Sequence, residues 1–157
     1  MRAISFNGEI YQNGTLQYRA NLLAGMVGFI TGEKPGVFAI SANNRADSTK
    51  MEDHPFDHPI HDVEAFIRNA IEIFKSHRPS IPWVIREALK NSKSYDEAVT
   101  YLAETKLITS TFYIVSGVKP GEGCVLALTK DDLYGKYSLD ADNGIWYLVQ
   151  TNYDRDQ

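Results

Sequence analysis

Three stretches of the sequence hold residue types that could do chemistry. The segment MEDHPFDHPIHD, residues 51 to 62, carries His54, His58 and His61 with acids between them. Neutral imidazoles and carboxylates are ligands that zinc and other divalent ions accept. Pro55 and Pro59 oppose that use, because they forbid the helix that would stack ligands four apart on one face. The expectation is a solvated loop without metal, leading into a helix whose start Asp62 caps. Cys124 is the single cysteine, at the start of an apolar strand in Gly121-Glu122-Gly123-Cys124-Val125-Leu126, with no histidine near it in sequence. A free cysteine in that setting is expected to pack as a small hydrophobe rather than act as a nucleophile. The third stretch is the closing run YLVQTNYDRDQ, where strand-like Trp146 to Val149 leads into Gln150, Thr151, Asn152, Asp154 and Arg155. Taken alone, an asparagine there reads as the cap of a turn after a strand.

Familiar catalytic signatures are missing: the sequence has no G-x-S-x-G elbow, no P-loop and no dinucleotide fingerprint. A formal charge of −4 and a pI near 5.5 argue against a surface that tracks phosphates, so no nucleic-acid partner is expected. One cysteine excludes an intrachain disulfide and a multi-thiolate metal site. No basic leader precedes an apolar core, and no apolar run approaches the roughly 20 residues that span a bilayer. For a secreted or lysosomal parent, the signal is expected upstream of Met1. Asn13-Gly14-Thr15 is a formal glycosylation sequon, but Asn-Gly is also a favoured hairpin turn, and the turn is the preferred reading.

The elements that must position these residues fall into three blocks. At 157 residues with 43% hydrophobic content, the chain can bury the core of one domain. Residues 3 to 45 read as a β-meander: alternation around Ala3 to Phe6, the Asn13-Gly14 turn, Leu16 to Arg19, then Met26 to Thr31 and Val37 to Ala42 on either side of Gly32-Glu33-Lys34-Pro35-Gly36. Next comes a helical block. Val63, Phe66, Ile67, Ala70, Ile71 and Phe74 share one face of a helix from about Asp62 to Ser76, ended by Pro79 and Pro82. A second helix runs from about Trp83 to Asn91, and a third opens on the Ser94 to Glu97 capping box with Tyr95, Ala98, Val99 and Leu102 as its stripe. All three stripes are expected in the core. Strands then return at Thr111 to Ser116, Cys124 to Leu128, Leu133 to Leu139 and Ile145 to Val149. Strands, helices, then strands with hairpin-length links indicate an α+β fold: two antiparallel strand groups under a helical layer. Composition and spacing lead no further than one soluble α+β domain.

Longer segments carry a resemblance. Ala24 to Phe38 (AGMVGFITGEKPGVF), Pro82 to Arg86 (PWVIR), Gly121 to Val125 (GEGCV) and Gly144 to Arg155 (GIWYLVQTNYDR) are similar, in that order, to acid ceramidase and N-acylethanolamine acid amidase. The likeness spans nearly the whole chain apart from the His-rich insertion. It implies an N-terminal nucleophile hydrolase of the choloylglycine-hydrolase-like kind, built as an αββα sandwich of which this chain would form part. In that family a precursor cuts itself to expose a cysteine whose thiol attacks the amide carbonyl of an N-acyl lipid, its own α-amine serving as base. No cofactor is implied.

By the same resemblance, Asn152 matches the asparagine that reaches the site from a strand end, where its amide can donate to an oxyanion. Asn44, in Ser41-Ala42-Asn43-Asn44-Arg45, falls where the mammalian enzymes have glutamate. An ionised carboxylate only accepts hydrogen bonds, whereas an amide donates two, so Asn44 suits oxyanion support; the plain alternative of a turn residue stays open. The family's nucleophile and its Arg and Asp partners lie before the matched segment, and Met1 is no substitute. Half a catalytic site is therefore expected, from one incomplete linear amide hydrolase domain spanning 1–157, the central part of the larger subunit.

Three readings follow. One is a fragment of a lipid amide hydrolase, which completes its site with the nucleophile segment. Another is a non-catalytic relative that binds a lipid or a partner. The third is a split enzyme whose second subunit brings the thiol. Lysosomal or secreted residence, peripheral contact with lipid membranes and self-association through exposed edges belong to the same set of expectations.

Overall fold

The computed structural model describes residues 4–45, 67, 74, 75 and 77–154. The His-rich stretch and most of the expected helix from 62 to 76 lie outside the described residues. Seven strands form one antiparallel sheet in the order β1-β2-β3-β4-β5-β6-β7, each beside its neighbour in sequence. They are β1 (Ser5–Gln12), β2 (Thr15–Leu23), β3 (Thr31–Lys34), β4 (Phe38–Asn44), β5 (Thr111–Gly117), β6 (Gly123–Leu128) and β7 (Leu133–Ser138). Among the described residues, two helices with defined bounds, α1 (Ile81–Asn91) and α2 (Tyr95–Glu104), lie between β4 and β5 in sequence. This is the α+β architecture read from the block order, with one refinement. Pairing of β4 with β5, from Phe38 opposite Gly117 to Asn44 opposite Thr111, joins the two strand groups edge to edge.

Local chemistry sets the reversals. Asn13 and Gly14 both adopt positive φ, 52° and 76°, as a tight hairpin with the right-handed twist of its strands requires. At the next reversal Pro35 and Gly36 form a turn in which the Val37 amide donates to the Lys34 carbonyl at 3.0 Å; Gly36, at φ 73°, supplies the left-handed corner. Thus β3 already uses residues expected to be loop. Helix α2 starts on the expected box: the Glu97 amide donates to Ser94 Oγ at 3.2 Å. The return bond goes one residue further back than the usual box, from the Lys93 amide to Glu97 Oε2 at 2.8 Å. Helix α1 begins at Ile81, earlier than expected, because proline is tolerated in a first turn whose amides need no helical acceptor.

Two expected strands are corrected. Residues 24–30 form no ladder; Gly28, at φ 100°, brings the backbone so close to α1 that a Cβ there would sit 2.5 Å from the Pro82 carbonyl group. The Phe29 amide then donates to the Pro82 carbonyl at 3.0 Å, and its buried ring packs on Tyr18. Of the expected strand from Ile145 to Val149, only Ile145 pairs, in an isolated bridge with Asp140. Apolar alternation there has no neighbouring strand to satisfy, and Trp146, Tyr147 and Val149 are exposed. Ile67 and Phe74, helical and expected in the core, are exposed as well.

Strand alternation divides the sheet into two faces. One carries Tyr18, Ala20, Ile40, Tyr113, Val115, Cys124, Leu126 and Leu128 and packs with Val84, Ile85, Ala88, Leu89, Ala98, Val99 and Leu102 of the helices in the main core. The other carries a small cluster of Phe112, Val125 and Ala127, with Ile114, Tyr137 and Leu148 against it. Leu148 belongs to the segment after β7, which therefore crosses the face opposite the helices. Among the described residues, no helix is long and apolar enough to cross a membrane.

Candidate active site

The second cluster ends at a buried ion pair. Arg45 directly follows β4, and its Nε and Nη2 donate to Oδ1 and Oδ2 of Asp154, both at 2.8 Å. The two side chains are 7% and 8% exposed. Two parallel charge-assisted bonds match the planar guanidinium to the planar carboxylate and fix direction as well as distance. The remaining capacity of the guanidinium is also engaged. Nη1 donates to the Leu128 carbonyl at 3.5 Å, and the group lies 4.3 Å from the Tyr134 ring centre and 5.8 Å from that of Phe112. Charges can be removed from water only when paired this completely.

Both asparagines singled out in the sequence sit beside this pair along the chain. Asn44 is the last residue of β4 and precedes Arg45; Asn152 is two residues before Asp154. Both are exposed. Alternation places Asn44 in the same register as Ile40 and Ala42, on the helix-bearing side, whereas Arg45 and the 145–154 segment belong to the opposite side. The two amides thus approach one corner of the sheet from its two faces. Next to Asn44, the buried Thr111 hydroxyl donates to the Asn43 carbonyl at 3.0 Å, which ties the end of β4 to β5.

Around Asn152 the backbone is tied by its own side chains. The Gln150 amide nitrogen donates to the carbonyls of Thr151 and Tyr153, each at 3.0 Å, and the Tyr153 amide donates to Thr151 Oγ1 at 3.2 Å. Gln150 and Thr151 spend their polarity on this turn. An open cavity of about 570 Å³ lies along the segment, with Ile145, Tyr147, Val149 and Tyr153 as its apolar wall and Gln150, Thr151 and Asp154 as its polar wall. The apolar wall of such a lining can take an apolar chain.

Cys124 lies elsewhere, 1% exposed on the helix-bearing face. Burial pushes its thiol up from the ordinary value, with only partial opposition from the Tyr95 hydroxyl. It is held in the protonated form, unsuited to nucleophilic attack. Among the described residues no three His, Cys, Asp or Glu side chains converge as metal ligands; His54, His58 and His61 lie outside them. Sequence reasoning missed the Arg45–Asp154 pair altogether. Both residues stood in quoted motifs, but partners 109 positions apart share no local signal, and the one cue was an arginine directly after a strand.

No protein-family model matches the chain. It is similar to the acid ceramidase of Balaenoptera acutorostrata scammoni, 34% identical over 99% of this chain and 36% of that protein. The acid ceramidase of Homo sapiens is 32% identical over the same shares. Among solved structures, the Caenorhabditis elegans N-acylethanolamine-hydrolyzing acid amidase (NAAA) ortholog superposes with a TM-score of 0.78 at 29% identity, covering 98% of this chain and 59% of that one. The chain therefore spans only 36% of the length of these curated ceramidases.

Proposed function

Because the chain belongs to the acid ceramidase and N-acylethanolamine acid amidase family, we propose that it is part of a lipid amide hydrolase that converts N-acyl lipids to a fatty acid and an amine. Residues 1–157 form one section of a single hydrolase domain in this reading, and the attacking thiol comes from outside them. Cys124 is buried and protonated, so it is not that thiol. The curated relatives are long enough to hold a further segment, since this chain matches 36% of their length.

The reaction runs through addition and elimination. The thiolate sulfur bonds to the amide carbon, and the carbonyl π-electrons move to oxygen. Asn152 donates its amide N–H to that oxyanion; Asn44, at the end of β4 on the other face, is the further candidate donor and serves only if the substrate meets the corner of the sheet that both approach. The C–N bond then breaks as the amine leaves with a proton, and water releases the fatty acid from the thioester. The apolar wall of Ile145, Tyr147, Val149 and Tyr153 takes the adjoining part of the acyl chain. A lysosomal or secreted setting fits the acid ceramidase relatives.

One observation carries the reading: Asn152 is exposed between Thr151 and Tyr153, two residues that line the cavity, and the segment that bears it is fastened to the sheet by a buried ion pair. The test is hydrolysis of a fluorogenic N-acyl amide at acidic pH by the full-length protein that carries this chain. Asn152→Ala is expected to lower kcat by about a hundredfold to a thousandfold, the usual loss for one oxyanion donor. Turnover that survives the substitution would remove Asn152 from the mechanism.

A further inference from the structure

We infer that Arg45 and Asp154 act as a positioning clasp, setting where the exposed Asn152 amide stands relative to the sheet; what that amide then does rests on the hydrolase reading above. After Ile145 the chain has no ladder to define its path. At one end of this stretch Asp140 and Ile145 exchange backbone bonds of 2.8 and 2.7 Å. Leu148 rests on the Phe112 cluster in the middle, and the Asp154 fork closes the other end. Two residues of chain span at most about 7 Å, so fixing Asp154 confines Asn152 to a small volume.

The receiving side of the clasp is rigid. Arg45 is held by the Leu128 carbonyl and by the Tyr134 and Phe112 rings, all on the sheet or beside it. A buried pair is a poor device for stability alone, because desolvation consumes most of its attraction and apolar side chains would serve as well. What the fork adds is a unique geometry, which a lysine could not reproduce with its single point charge. The guanidinium also follows Asn44, so one contact fixes the backbone of both amide positions relative to each other.

The side-chain amide of Asn152, followed by NMR in the full-length protein, tests this directly. Wild type is expected to give one dispersed Asn152 signal. In Asp154→Asn that signal should move to the averaged position of a free asparagine while the β5 and β6 backbone signals stay in place, and Arg45→Lys should fall between. In parallel, kcat on an N-acyl amide should drop about a hundredfold in Asp154→Asn with KM unchanged, the size expected from misplacing a reacting group by about 1 Å. An unmoved Asn152 signal in a folded Asp154→Asn variant overturns the clasp, as does a signal already averaged in wild type. If Asp154→Asn does not fold, Arg45→Lys makes the same comparison. A wild type that hydrolyses no N-acyl amide overturns the hydrolase reading instead, and the Asn152 signal still decides the clasp.

Discussion

On the helix-bearing face of the sheet, Ile40, Tyr113, Val115, Leu126 and Leu128 are buried to 1% exposure or less against α1 and α2. On the opposite face, burial at that level is confined, among the described residues, to Phe112, Val125 and Ala127; elsewhere on it Arg19, Glu9 and Glu33 form surface ion pairs, and Trp146, Tyr147 and Val149 of the segment after β7 are exposed. The same backbone supports a dry interior on one side and a mixed, accessible surface on the other. The difference shows where chemistry can be sought in such a fold. Groups packed into the first face are spent on packing, the lone thiol included. On the second, a deeply buried polar contact, Arg45 with Asp154, lies two residues from the exposed Asn152, which is free to meet a ligand.

Truncation should separate the faces most sharply. Leu126→Ala removes a fully buried side chain between the sheet and the helices, and its loss plus the cavity left behind is expected to cost about 2–5 kcal/mol. Val149→Ala, on a residue 65% exposed, should stay within about 0.5 kcal/mol. Urea unfolding of the two variants measures both. Similar losses would mean that a further layer covers the second face in the protein as it exists.

A subtler substitution examines the dry face from within. The Tyr113 hydroxyl is buried and has no hydrogen-bond partner among the described residues. An orphan hydroxyl in an apolar interior is a standing cost, so Tyr113→Phe is expected to stabilise the protein by up to about 1 kcal/mol. A loss of about 1 kcal/mol or more in thermal unfolding would show that the hydroxyl is satisfied.

How much of this was legible in the sequence depended on the range of the interactions. Asn13-Gly14 and Ser94 to Glu97 declared themselves, because a turn and a cap are decided within four residues. Residues 26–30 and 145–149 were misread because alternation reports a preference for extended backbone but not the presence of a neighbour. Gly28 against Pro82 settles the first case and the lone Ile145 bridge the second, and both are tertiary facts. Asn44 and Asn152 came from resemblance to a family rather than from any spacing. The buried pair beside them, joining two motifs far apart in the chain, left no trace that periodicity could detect.

Titration extends the contrast between the faces to pH. On the dry side burial raises the pKa of Cys124, Tyr95 and Tyr113, which holds all three neutral. Carboxylates outside the core behave in the opposite way. Glu122 accepts the backbone amides of Lys119 at 3.0 Å and Val118 at 2.9 Å in the β5–β6 turn, and these bonds, Lys119 first, hold its carboxyl below the ordinary value. Asp140 is lowered by the side-chain amide and backbone of Asn143, and Glu9 by the Tyr11 hydroxyl and then Arg19. A carboxyl whose folded value is depressed binds protons more readily when unfolded. Its contribution is complete above the unfolded value, about 4.3 for glutamate, and is lost as pH falls through the depressed folded value. Glu122→Gln keeps the shape but removes the charge. Its melting temperature should therefore lie below that of wild type near neutral pH, and the gap should close as the solution is acidified through the carboxylate range. A gap that persists unchanged at low pH would assign the turn's stability to shape rather than charge, and the acid sensitivity would then have to come from Asp140 and Glu9.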